Sequence, residues 1–406
     1  QAQIEALEPM EIVQRYTQDY HQHMAMLNVQ SPSIEPRASG HITEQIAMIQ
    51  QIIQAGLAYE VQGSVYFDVA AYNKKNTYGA LSGRVIEDLR AYTRSLQGQQ
   101  EKRSPVDFAL WKRAAPTHLM QWPSPWSSGF PGWHIECSAM STKYLGKSFD
   151  IHAGGLDLLF PHHECELAQA KAAHSAPLAQ YWLHNNMVTI DGQKMGKSLG
   201  NFITLEALFN GTHTLLDQAY SPMTLRFFVL QAHYRSTLNF SLEALQAARH
   251  GYLKLVNGLK ALGELNYAAT TVVAIDVDKV RHVQRSCAAC HAAMNDDFNT
   301  AQVLAALFDL LKPIQALKNG TLSTAALGES VFTQLKETYT TFLQDILGLK
   351  ATLEPPAAAF IDLLLELYGQ AKAQKQYDQV DKLRVQLKAL GIAVHDSSQG
   401  VQWSYA

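Results

Sequence analysis

Apolar positions along the chain switch between helical and strand spacing, and the switches mark out its elements. Residues 10–28 set Ile12, Val13, Tyr16, Tyr20 and Met24 at helical intervals, which predicts an amphipathic helix broken by Ser31-Pro32 and Glu35-Pro36. A second helix is predicted from Ile42 to Ala55, with Ile42, Ile46, Ile49 and Ile53 as its stripe and Gly56 as its stop. The period then falls to two: Leu57–Val61 and Ser64–Val69 flank Gln62-Gly63, a β-hairpin signal. Residues 73–106 are polar and read as a loop or the surface of an inserted module. Asp107–Lys112 is a buried-strand candidate. Gln121–Pro131, rich in Trp, Pro, Ser and Gly, reads as an irregular but ordered functional loop anchored by Trp122 and Trp126. Phe149–His152 reads as a strand ending in Ala153-Gly154-Gly155 before a helix start, the shape of a nucleotide-binding βα turn. Strand, loop, helix and strand in that order predict a parallel α/β sheet.

Beyond residue 204 the pattern is mostly helical. Ser221-Pro222 starts a helix with an N-cap and a proline at the first position. Leu304, Leu307, Phe308 and Leu311 form a stripe expected to end at Pro313. Residues 262–276 and Glu354–Ala357 read as linkers. The last module has a helix faced by Tyr377, Val380, Leu383, Leu387 and Leu390, then a small hairpin of Ile392–Val394 and Val401–Trp403.

Composition narrows the class. With 406 residues, 47% hydrophobic and 17% charged, the chain has the balance of a soluble globular protein with room for several domains. The net charge of −3 carries no global nucleic-acid signal. No apolar run approaches the ~20 residues of a membrane span. Four cysteines in a chain this long do not make a disulfide framework, so a cytoplasmic setting is expected.

Two stretches carry chemistry. In Phe160-Pro161-His162-His163-Glu164-Cys165-Glu166 a helix start puts His162 and Glu166 on one face. Cys137, in Gly132-Trp133-His134-Ile135-Glu136-Cys137, would add a thiolate. Cys, His and Glu with an open position make a zinc set suited to chemistry or ligand capture; the alternative is a helix start with a buried His and Cys. His163, Glu164 and Cys165 compete for the ligand roles. The second stretch is Lys194-Met195-Gly196-Lys197-Ser198-Leu199-Gly200-Asn201, after a strand and a tight turn at Asp191-Gly192. Only three residues separate Gly192 from Gly196, so Walker A spacing is not met and a different phosphate loop is expected. Cys287-Ala288-Ala289-Cys290-His291 matches the haem-attachment string, but it lies inside a helical pattern and reads as core.

Taken as an ordered set, these motifs resemble the cysteinyl-tRNA synthetase family of class I aminoacyl-tRNA synthetases. The resemblance runs through Gly132–Met140, Phe149–Glu166, Lys194–Ser198 (the family's KMSKS loop), His233–Ser236, Asp296–Thr300 and Gly391–Trp403. It implies a Rossmann-type α/β catalytic domain with an inserted connective domain, followed by an all-α bundle and a small α+β C-terminal module. The implied division is 1–40, helical remnant of the first catalytic half; 41–115, connective insertion; 116–203, second catalytic half; 204–262, stem-contact region; 277–350, anticodon-binding bundle; and 357–406, anticodon-reading module. The family's HIGH sequence and a further zinc-binding cysteine are not in this chain. The resemblance therefore places another segment before Gln1, in keeping with the absent start Met.

The implied activity joins L-cysteine to ATP as cysteinyl-adenylate and passes it to tRNA(Cys), in a cytoplasmic monomer with no membrane contact. One Zn2+ would be held by Cys137, His162 and Glu166. Lys194 and Lys197 would act catalytically on the phosphates of ATP, which arrives with Mg2+. Trp133 would wall the cysteine pocket, and His152 and Asp157 would hold the amino group or the adenylate. Arg384, Asp396 and Trp403 are candidates for anticodon contact. The family has asparagine where Cys165 stands and serine where Gly196 stands. Two other readings share the residues: a ligase passing cysteine to a small amino sugar, and a non-catalytic RNA-binding relative.

Overall fold

The structure is a computed structural model that describes residues 2–85, 101–268, 273–351, 355–397 and 400–405; of 355–360, 362, 396, 397, 400 and 405 it describes the backbone alone. The chain forms two compact units, residues 1–20 with 31–187 and residues 21–30 with 188–406.

In the first unit, strands β1 (Ala58–Val61), β2 (Ser64–Phe67), β3 (Phe108–Arg113) and β4 (Gly129–Pro131) form an antiparallel sheet in chain order. The β1–β2 turn is Gln62-Gly63, both with positive φ, the geometry that matches strand twist in a two-residue hairpin. One core joins this sheet to helix α2 (Ile42–Gln54), α3 (Trp133–Leu145) and α4 (Glu164–His174), through Ile49, Ile52, Phe67, Trp111, Ile135 and Ala168. Strands β5 (Phe149–Gly155) and β6 (Ala179–Asn185) pair in parallel, with α4 in the crossover between them, as parallel pairing requires. Ile151 and Tyr181 remain 51% and 65% exposed, while Phe149 and Ala179 are buried with Ala170 of α4.

In the second unit, β7 (Val188–Ile190) pairs antiparallel with β8 (Gln193–Lys194) and parallel with β9 (Leu238–Phe240). Helices α6 (Pro222–Leu230), α7 (Leu242–Glu264), α8 (Val277–Asn295), α9 (Thr300–Lys318) and α10 (Glu329–Thr340), with the short α5 (Leu205–Asn210), enclose one core running from Ile190 to Leu349. Helices α11 (Pro355–Ala373) and α12 (Tyr377–Ala389) pack with the β10–β11 hairpin (Ile392–Ser397, Gly400–Tyr405) around Tyr368, Ala371 and Val380. No described helix is long and apolar enough to cross a membrane.

Several expectations need correction. Helix α1 (Pro9–Met26) forms, but none of its residues is buried. The buried face of α2 is Gln45, Met48, Ile49 and Ile52, rotated from the isoleucine stripe, whose Ile42, Ile46 and Ile53 sit at its margin. The loop before Pro131 is not wholly irregular: Trp122 bridges to Gly129, and β4 extends the sheet. Pro313 does not end α9. A proline frees the carbonyl four residues back, and here His282 Nε2 lies 3.2 Å from the Asp309 carbonyl oxygen. The second expected linker is helical from Pro355, with its prolines in the first turn, where a missing N–H costs nothing. Of the first linker, 262–264 complete α7 and 269–272 lie outside the described residues, as do 86–100 of the polar stretch 73–106. Cys287 and Cys290 are buried in the helical core.

Candidate functional site

Four elements of the first unit converge on one cluster. Helix α3 begins at Trp133, so His134 and Cys137 are three apart and share a face. Phe160 is extended, and the chain turns into α4 through Pro161 and His162, so that His162 and Glu166 also share a face. One ligand atom each from Cys137, His162 and Glu166 lie within 4.8 Å of one another. His162 Nε2 faces Glu166 Oε1 at 3.8 Å. Glu166 is fully buried, and Oε1 has no hydrogen-bond partner. A buried carboxylate oxygen left unpaired is costly, and a cation held there would satisfy it. The donor set of thiol, imidazole and carboxylate suits zinc.

Behind each donor stands a second group. His134 Nδ1 lies 3.0 Å from His162 Nδ1, so one hydrogen is shared between two ring nitrogens. A metal at His162 Nε2 needs that nitrogen bare, which puts the proton on Nδ1 and makes His134 Nδ1 the acceptor. Burial, then the nearby His162, pushes His134 down to about 3, consistent with a neutral ring. His152, from β5, lies with Nε2 3.0 Å from Glu166 Oε2. His163 Nδ1 lies 2.8 Å from His184 Nε2, which β6 delivers opposite Gly154. Burial, followed by the neighbouring imidazoles His152, His184 and His162, lowers His163 to about 3. Burial also lowers His162, against the pull of Glu166. Without metal, burial and the charges of Glu166 and Glu136 push the Cys137 thiol up to about 12.

The competing residues point elsewhere. Cys165 is buried with Sγ 3.3 Å from Tyr78 Oη. Glu164 Oε2 accepts from Leu81 N, Ser82 N and Ser82 Oγ at 2.8–3.1 Å. A second trio, His152, His163 and Glu166, also has donor atoms within 4.8 Å of one another; it shares Glu166, and His163 Nε2 lies 3.9 Å from Glu166 Oε2 while its Nδ1 meets His184. Trp133 is 55% exposed, with its ring centroid 4.2 Å from that of His162. Asp157 is exposed at the short turn after Gly155. His134, Trp182 and His184 were not singled out from sequence; His134 could have been, standing one turn before Cys137.

In the second unit, Lys194 ends β8 and Lys197 lies on the turn after it, both exposed, and Lys197 Nζ lies 5.5 Å from the Phe202 ring centroid. Arg384 donates to Tyr368 Oη at 2.5 Å, and Lys260 Nζ sits 3.8 Å above the Trp403 ring, covering one of its faces. The side chain of Asp396 lies outside the described residues.

Residues 1–250 match the model of the class I (C) tRNA synthetase catalytic domain, and residues 289–352 match that of the DALR domain. The fold is therefore that of a class I aminoacyl-tRNA synthetase, with a Rossmann-type catalytic domain and an all-helical domain after it. Its backbone superposes on Mycobacterium tuberculosis methionyl-tRNA synthetase in complex with methionyl-adenylate with a TM-score of 0.58 at 13% identity, over 93% of this chain and 85% of that one, a likeness of fold alone. Sequence goes further: the chain is 56% identical to the cysteine–tRNA ligase of Cytophaga hutchinsonii over 98% of its length and 80% of the relative's. The corresponding enzyme of Bacteroides thetaiotaomicron is 54% identical over 99% and 81%, and that of Thermus thermophilus 43% over 99% and 81%. The chain belongs to the cysteine–tRNA ligase family.

Proposed function

We propose that this enzyme charges tRNA(Cys) with L-cysteine at the expense of ATP, and that it selects cysteine through zinc held by Cys137, His162 and Glu166. The observation that carries the zinc reading is the convergence of those three donors on a buried carboxylate oxygen with no other partner. Cysteine and serine differ by one atom, and a pocket that senses shape alone separates near-isosteres weakly. When bound, zinc supplies a soft Lewis acid that prefers sulfur to a hydroxyl oxygen.

The chain's own residues do the rest. His134 fixes the His162 tautomer, and His152 orients Glu166 so that Oε1 faces inward. Trp133, lying over His162, supplies an apolar wall to the cysteine side chain. His152 and Asp157 remain assigned to the amino group or the adenylate, with His152 now also tied to Glu166. The cysteine carboxylate attacks the α-phosphorus of ATP, the new C–O–P linkage forms, and pyrophosphate leaves. Lys194 and Lys197, with Mg2+, offset charge that gathers on the phosphates. A hydroxyl of the terminal adenosine then takes the cysteinyl group and AMP leaves. Residues 204–262, 277–350 and 357–406 are assigned to the tRNA, the last to the anticodon through Arg384, Asp396 and Trp403.

Replacing Cys137→Ser in the full-length protein tests the reading. Zinc content by elemental analysis and selection of cysteine over serine in pyrophosphate exchange should fall together. Normal zinc in that variant overturns the ligand assignment.

A further inference from the structure

The turn carrying Lys194 and Lys197 is closed on itself by one side chain. Asn201 Nδ2 donates to the Lys194 carbonyl at 3.1 Å, and Asn201 Oδ1 accepts from the Gly196 N–H at 2.9 Å. The two backbone groups flank Met195, whose side chain packs against the core of the second unit. The turn that follows is closed by Leu199 N to Gly196 O at 3.1 Å and Gly200 N to Lys197 O at 3.3 Å. Gly200, at φ +68°, reverses the chain so that Asn201 comes back beneath Lys194 and Gly196.

Two consequences bear on chemistry. The Gly196 N–H is already bonded to Asn201, so it is not available to a phosphate oxygen as in a glycine-rich cradle. Cationic binding on this turn then depends on the side chains of Lys194 and Lys197. Gly196 is also not what shapes the turn. Its φ of −164° is extended, and a Cβ added there would meet nothing nearer than 3.8 Å. The shape rests on the two Asn201 bonds together with the reversal at Gly200.

We propose that Asn201 is a positioning residue that holds Lys194 and Lys197 at the spacing needed to grip the phosphates of ATP. It acts through the backbone of the two lysines' turn and touches no substrate. The inference rests on the phosphate role assigned above to the lysines, and its test separates the two.

The measurement is cysteine-dependent ATP–pyrophosphate exchange by the full-length protein, with melting temperature and cysteine KM alongside. Losing two backbone clamps should lower kcat/KM for ATP by about tenfold in Asn201→Ala, with cysteine KM and melting temperature close to the parent's. Asn201→Asp keeps the shape and the acceptor but sets an oxygen against the Lys194 carbonyl, so it should fall in the same direction; it carries the test if the alanine variant does not fold. In a Lys197→Ala background, Asn201→Ala should add little, because its effect runs through the lysines. Unchanged ATP kinetics in both Asn201 variants, beside an impaired Lys197→Ala, would overturn the clamp and leave the phosphate role standing. A full multiplicative loss in the double variant would also overturn it. Unchanged exchange in Lys197→Ala alone would overturn the phosphate role instead.

Discussion

Replacing Glu166→Gln should change stability with opposite signs in the presence and absence of zinc. Glu166 is fully buried; one oxygen meets His152 Nε2 at 3.0 Å and the other has no partner. Its neighbours His162 and His163 are driven toward the neutral ring by burial, so they offer little charge to offset it. A buried, poorly compensated carboxylate costs several kcal/mol, and an amide of the same shape relieves part of that, about 2 kcal/mol. The amide carbonyl can keep the His152 bond, while its NH2 faces Cys137 and His162, which can accept. In a chelator the variant should therefore melt higher, by roughly 4–8 °C for a unit of this size. With zinc the balance reverses. A metal present at about a thousand times its dissociation constant stabilises the parent by about 4 kcal/mol, and the variant should lose most of that rise. Calorimetric scans of parent and variant, in chelator and in zinc, read both effects. A variant whose melting temperature still climbs with zinc would refute the ligand role. One that melts lower in chelator would refute the claim that this carboxylate is stranded without metal.

Two further predictions probe the support around the donors. His134→Ala should weaken zinc retention in competition with a chelator by roughly 10–100-fold, the usual cost of losing a partner behind a ligand, whereas His134→Asn, which can place an acceptor near Nδ1, should recover part of it. Equal retention in all three proteins would show that the His134–His162 contact does not matter. Gly154→Ala would put a Cβ 2.8 Å from His163 Cε1 and 2.9 Å from Leu158 Cδ1, and overpacking of that kind costs about 1–3 kcal/mol. A lower melting temperature with reduced zinc retention is expected; neither change would mean that His163 does not pack over Gly154.

Local spacing was enough for some of this. The hairpin at Gln62-Gly63 declared itself because a two-residue turn with positive φ suits so few sequences. His162 and Glu166 shared a face by helical arithmetic alone. Other features depend on partners that no local pattern contains. The isoleucines of α2 look like the centre of its buried stripe, but the packing of α3 and α4 turns Gln45 and Met48 inward. Pro313 reads as a helix stop because the residue that takes up its orphaned carbonyl, His282, lies on another helix. His184 and Trp182 gain meaning only from the parallel register that sets β6 beside β5. Cys165 looked like a zinc ligand by element type; the fold sets its Sγ against Tyr78 and gathers Cys137 with His162 and Glu166 instead.

The same dependence bears on how selection for sulfur would be built. Cys, His and Glu side chains occur together in many proteins without binding a metal, so the donor trio by itself specifies little. What distinguishes this cluster is that two of the donors are each engaged from behind, His162 by His134 on α3 and Glu166 by His152 on β5. Those contacts leave His162 Nε2 and Glu166 Oε1 facing one another across 3.8 Å, with Cys137 close by. The supporting residues arrive on a helix face and a strand that also build the core of this unit, so the core sets where they stand without depending on them. Substitutions behind the donors should therefore loosen metal binding before they unfold the chain, and substitutions in the core beneath Gly154 should do both at once.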